Sequence, residues 1–162
     1  MKPTVYVETT VISYLTSRPS RDVVVAGHQQ VTREWWESTS DKFELLISEL
    51  VVREVSQGDA SAIRERLAVA EALIVLEVTI AARELARQLL ADAAIPQQAA
   101  ADALHLGVAT VNGVNFLATW NCRHLANATM RGRIEDVCRS VGYEPPLICT
   151  PEELLEVEAD EG

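Results

Sequence analysis

Cysteine is scarce in this 162-residue chain: Cys122, Cys138 and Cys149 form an odd, scattered set without metal-site spacing. That excludes a disulfide framework and suits a reducing compartment. Aromatic residues make up only 5%, and of the 14 basic residues only Lys2 and Lys42 are lysine. No apolar run approaches the roughly 18–20 residues needed to span a bilayer. The opening Met1-Lys2-Pro3-Thr4 lacks the hydrophobic region of a signal peptide, so the expected location is cytoplasmic. Internal repeats, low-complexity blocks and Pro/Gly/Ser linkers are also missing, which points to one domain.

What is present supports a packed core. The chain is 48% hydrophobic and 23% charged, with mean hydropathy +0.07, a balance that excludes a disordered protein. Net charge is −10 and the pI is near 4.7, which argues against gripping nucleic acid by bulk electrostatics. The deficit is uneven. Glu152, Glu153, Glu156, Glu158, Asp160 and Glu161 crowd the end of the chain with no Lys or Arg among them. The expected organisation is a domain over 1–150 followed by a solvated acidic tail over 151–162. Because the bases are mostly arginine, which contacts phosphate bidentately, a local anion site stays compatible with the negative total.

Hydrophobic patterning predicts strands at Thr4–Val7, Phe43–Ile47, Leu73–Val78, Asn115–Thr119 and Leu147–Ile148. Helices are predicted over Val11–Thr16, from a Ser20 cap to about Ser38, from a Ser48 cap through Val55, and over Ala60–Ala70. Further helices run from a Thr79 cap to about Ala91, from Ile95-Pro96 to about Val111, and from about Met130 to Val141, with a terminal turn from Pro151. Strands separated by helices imply a three-layer α/β sandwich with a short, mostly parallel central sheet. The strands are apolar without alternation, as burial on both faces demands.

In such a sheet, ligand sites form beyond the carboxyl ends of the strands. Glu8 follows the first predicted strand, and Asn121 follows the fourth after Trp120. Helices run antiparallel to the strands, so their early turns reach the same edge. Glu54 in the second turn after Ser48 and Asp102 in the second turn after Pro96 arrive there by that route. Asp102 interrupts the apolar run Ala99-Ala100-Ala101-Asp102-Ala103-Leu104, and a carboxylate facing a core needs a partner or a metal. Glu49 competes with Glu54, but a Glu at the first helical position more often serves the helix dipole. No Gly-rich loop follows the first strand, where Glu8-Thr9-Thr10 stands, so a Rossmann-like nucleotide site has little support.

Four segments together resemble the PIN domain: Val5-Tyr6-Val7-Glu8-Thr9-Thr10, Ile47-Ser48-Glu49-Leu50-Val51-Val52-Arg53-Glu54-Val55, Ala101-Asp102-Ala103-Leu104-His105-Leu106, and Leu117-Ala118-Thr119-Trp120-Asn121. More narrowly, the chain resembles the VapC-type ribonuclease toxins of bacterial toxin–antitoxin pairs, over nearly its whole length and in the same order. The resemblance implies a metal-dependent endoribonuclease using Mg2+ (or Mn2+), with Glu8, Glu54, Asp102 and Asn121 as catalytic and metal-ligating positions. It implies supporting hydroxyls at Thr119 and at Thr9 or Thr10, a cognate antitoxin, and a homodimer. Two positions depart from the family pattern. Glu8 stands where most members have Asp, and Asn121 replaces an acid with a neutral oxygen. A second reading is a catalytically weakened PIN module that binds RNA or a protein without turnover.

The remaining candidates have plainer expectations. Arg18 and Arg21 follow the first strand closely and are the preferred phosphate contacts. Arg123 and His124, directly after Asn121, either touch RNA phosphate or are solvated. His105, three residues after Asp102, has a spacing that can place both on one metal or substrate, but reads better as a hydrogen-bonded structural residue, and His28 reads as helix packing. Of Trp35 and Trp36, one ring packs inward and the other is the candidate for a subunit or antitoxin interface.

Overall fold

The computed structural model describes residues 1–155, so Glu156, Glu158, Asp160 and Glu161 of the acidic tail lie outside it. Strands β1 (Thr4–Val7), β2 (Glu44–Ser48), β3 (Ile74–Leu76), β4 (Phe116–Ala118) and β5 (Leu147–Cys149) make one sheet in the order β3-β2-β1-β4-β5. Every pairing is parallel, with Val5 opposite Leu45 on one side and Phe116 on the other. Parallel strands need crossovers and both faces covered. Accordingly Val5, Tyr6 and Val7 are all fully buried.

The covering helices are α1 (Thr9–Thr16), α2 (Val23–Ser38), α3 (Glu49–Val55), α4 (Ala60–Ala70), α5 (Ile80–Ala91), α6 (Ala100–Val111) and α7 (Ala128–Ser140). Side-chain caps set most of their starts. Ser48 Oγ accepts from Val51 N–H, Asp59 from Ser61 and Ala62, Thr79 from Ala82, and Asn127 from Thr129. At α2 the cap is Asp22, which accepts from Val24 and Val25 N–H, rather than the expected Ser20. Ser20 Oγ instead accepts from Asp22 N–H, one step further out. The helix predicted from Pro96 also starts later. Gln97–Ala99 form a 3-10 turn and the α-helix begins at Ala100, which puts Asp102 in its first turn rather than its second.

Two packing features carry the site. Helices α5 and α6 touch closely at Gly107, where an added Cβ would lie 2.5 Å from the Ala82 carbonyl oxygen. The described residues finish in a 3-10 turn, Pro151–Leu154, whose Pro151 and Leu154 are buried. Trp35 is fully buried beneath α2, and Trp36 is half-buried against the same core. The pair is edge-to-face at 6.0 Å, so the outer ring is partly covered by the chain's own core.

Candidate functional site

Strand β1 has β2 on one side and β4 on the other, so its carboxyl end is where the strand order reverses. That is the place where open α/β sheets form a crevice. Glu8 sits there, 4% exposed, and caps helix α1. Its Oε1 accepts the Thr10 and Thr119 hydroxyls, both at 2.6 Å, and its Oε2 accepts Thr10 N–H at 3.1 Å. The Thr10 hydroxyl also accepts Trp120 N–H at 2.9 Å, which stitches the β4 loop to α1. Both expected hydroxyl positions are therefore engaged. Thr10 and Thr119 bind Glu8, while the Thr9 hydroxyl donates to Glu54 Oε1 at 2.7 Å.

Glu54, half-buried on α3, takes a second donor on the same oxygen: His105 Nε2 lies 2.6 Å from Oε1. Burial opposes ionisation of Glu54, but the hydrogen bonds from His105 and the Thr9 hydroxyl outweigh it and hold the carboxyl below the usual range. Donor atoms of Glu8, Glu54 and His105 lie within 4.8 Å of one another. The rival Glu49 is exposed and accepts Val78 N–H instead.

Asp102 stands beside this trio, half-buried. Burial pushes its carboxyl above the usual range; a hydrogen bond from Asn121 opposes that, and the Glu8 charge adds to it. Asn121 Oδ1 accepts the N–H groups of Arg123 and His124 at 3.2 and 3.0 Å. Its amide thus works through Asp102, and its oxygen is occupied by the following turn. Of the remaining basic candidates, His124 is close enough for its charge to lower the Asp102 carboxyl. Arg21 and Arg123 are exposed. Arg18 lines a cleft of about 500 Å³ between α1 and α4, with Ser13, Ser17, Asp59 and Arg66.

Sequence reasoning missed the depth of the network behind Glu54. His105 is 1% exposed, and its Nδ1 lies 2.6 Å from the Tyr6 hydroxyl, which is 2.7 Å from Ser48 Oγ. The signal was there in Tyr6: a tyrosine in a strand buried on both faces needs a hydroxyl partner. Behind the loop, Trp120 stacks on His28 at 4.1 Å between centroids, in agreement with a packing role for His28.

Neither family models nor curated protein sequences match the chain. Solved structures do resemble it. VapC20 of Mycobacterium tuberculosis, described as a sarcin–ricin loop cleaving toxin, superposes with a TM-score of 0.59 at 15% identity, over 80% of this chain and 95% of that one. VapBC2 from Rickettsia felis, solved bound to a DNA fragment from its promoter, gives a TM-score of 0.59 at 15% identity, over 91% and 98%. At that identity the likeness is one of fold, and the chain has the PIN-like α/β fold of these VapC structures, a five-stranded parallel sheet flanked by helices.

Proposed function

We propose that this chain is a metal-dependent endoribonuclease acting as the toxin of a toxin–antitoxin pair. The observation that carries the reading is the meeting of Glu8 and Glu54, with His105, at the switch point of a PIN-like sheet, with Asp102 near enough to feel the Glu8 charge. Two acids this close, with a third beside them, favour a bound cation. The donors are carboxylate oxygens, which suit Mg2+ or Mn2+. Glu8, Glu54 and Asp102 would hold the ion, with Asn121 positioning Asp102.

A divalent ion so held supplies an activated water and stabilises charge on the phosphorane-like transition state. The chain's own residues do the rest. Thr10 and Thr119 fix Glu8, Thr9 fixes Glu54, and Arg18, Arg21, Arg123 and His124 are the candidate phosphate contacts. The carboxylates repel an RNA backbone until a cation neutralises them, so metal binds before substrate. The partners are RNA, a cognate antitoxin and a second copy of the chain.

One observation favours the weaker reading, a PIN module that binds without turnover: Glu8 is almost wholly buried and already accepts three hydrogen bonds. The test is RNA cleavage by the purified chain with Mg2+ or Mn2+, beside Asp102→Asn and Glu54→Gln. Loss of cleavage in both variants supports the nuclease. RNA binding without cleavage under either metal would establish the module instead.

A further inference from the structure

We infer that His105 is a positioning residue, not a metal ligand, and that a directed chain of hydrogen bonds from Ser48 through Tyr6 keeps its proton on Nε2, aimed at Glu54 Oε1. The inference rests on the metal-site reading above and assigns a part to a residue outside the family pattern.

The direction follows from proton counting. Glu54 Oε1, a carboxylate oxygen, only accepts, so its 2.6 Å contact puts a hydrogen on His105 Nε2. Ser48 Oγ, 2.7 Å away and also accepting Val51 N–H at 3.4 Å, can donate to the Tyr6 hydroxyl, which has a single proton of its own. Its one proton then points to His105 Nδ1 at 2.6 Å. With that proton accepted at Nδ1, the ring carries its own hydrogen on Nε2. The acceptor 2.6 Å from Nε2 is Glu54 Oε1.

The consequence for the site is positional. Thr9 and His105 both donate to Oε1, which fixes the plane of the Glu54 carboxylate and leaves Oε2 clear of both donors. Outer partners of this kind typically alter metal affinity by about 10–100-fold when removed. The closeness of Nε2 to the Glu54 carboxylate is therefore that of a donor holding a ligand.

The experiment uses the full chain labelled with 15N-histidine, with His105→Gln identifying the His105 signals. Ring nitrogen and proton correlations are recorded without metal and with saturating Mg2+. The expected result is a hydrogen on Nε2 in both samples. An Nε2 that is bare in either sample would overturn the proposal. A second arm measures Mn2+ affinity by calorimetry, with thermal unfolding as a fold control. His105→Gln, whose Nε2 amide still reaches Glu54, should stay within about 3-fold of wild type, whereas His105→Leu should weaken binding about 10-fold or more. Equal losses in the two variants would count against positioning. Neither arm contains RNA, so a chain that binds metal this way yet cuts nothing would refute the nuclease and leave the His105 assignment standing.

Discussion

Two carboxylates in the site lean in opposite directions, and each predicts its own pH signature. The Glu54 carboxyl is held below its ordinary value, against burial, by His105 and Thr9. Its stabilising contribution is therefore complete above the usual glutamate range, near pH 4.3, and fades as pH falls through the lower folded value. Glu54→Gln should flatten the loss of urea-unfolding free energy between about pH 5 and pH 3; a profile superimposable on wild type would contradict the assignment. Asp102 behaves in reverse. Burial, with the Glu8 charge adding and Asn121 opposing, raises its carboxyl, so the folded state disfavours the ionised form. The penalty is absent at low pH and sets in as pH rises past the ordinary aspartate range, near 3.9. Without metal at pH 7, Asp102→Asn should raise the melting temperature by about 2–4 °C for roughly 1 kcal/mol of relief. The gain should vanish near pH 3. A variant that instead melts lower at pH 7 would show that the carboxylate is satisfied as it stands.

Glu8 departs from the commoner Asp, and its longer side chain has a structural use. It folds back to cap α1 through Thr10 N–H while reaching the Thr119 hydroxyl across the sheet. One residue thereby joins a helix start to a neighbouring strand end.

At the scale of elements, the sensitive joint is α5 against α6. Gly107 lets the helices meet, and the atom an extra Cβ would strike is backbone, the Ala82 carbonyl oxygen at 2.5 Å. Backbone cannot rotate aside, so Gly107→Ala should separate the helices and cost about 1–3 kcal/mol. Because α6 carries both Asp102 and His105, RNA cleavage should fall more than stability does. Unfolding midpoints and cleavage rates measured side by side check this, and a neutral substitution would contradict the close packing.

The elements themselves were largely legible. Short apolar strands and the caps at Ser48 and Thr79 stand in the sequence because period, length and cap chemistry are local properties. The start of α2 was not, since Ser20 and Asp22 are both good caps and the choice depends on how the preceding turn bends. Placing Asp102 one turn too deep followed from reading Pro96 as the helix start, where a 3-10 turn intervenes. Glu8, Glu54 and Asp102 could be placed at one edge from topology alone. The Ser48–Tyr6–His105 chain could not, because Tyr6 and His105 are 99 residues apart and no local spacing pairs them.

For the whole molecule, the net charge of −10 separates tight unspecific binding from catalysis. Of the 24 acids, Glu8 and Glu54 meet at the switch point with Asp102 near Glu8, and under the proposed function a cation would offset them. RNA affinity should therefore rise on adding Mg2+ and show a shallow salt dependence, set by a few arginines rather than a basic surface. A filter or anisotropy titration at several salt concentrations measures both; affinity that is equal in a chelator would be inconsistent with metal binding first.

The most direct measurement is cleavage of RNA by the full chain in Mg2+ or Mn2+, in EDTA, and in Asp102→Asn and Glu54→Gln. Several kcal/mol of metal-borne stabilisation corresponds to losses on the order of 100-fold or more. The site described here predicts such losses in EDTA and in both variants. Cleavage that persists in EDTA, or survives both substitutions, would contradict it.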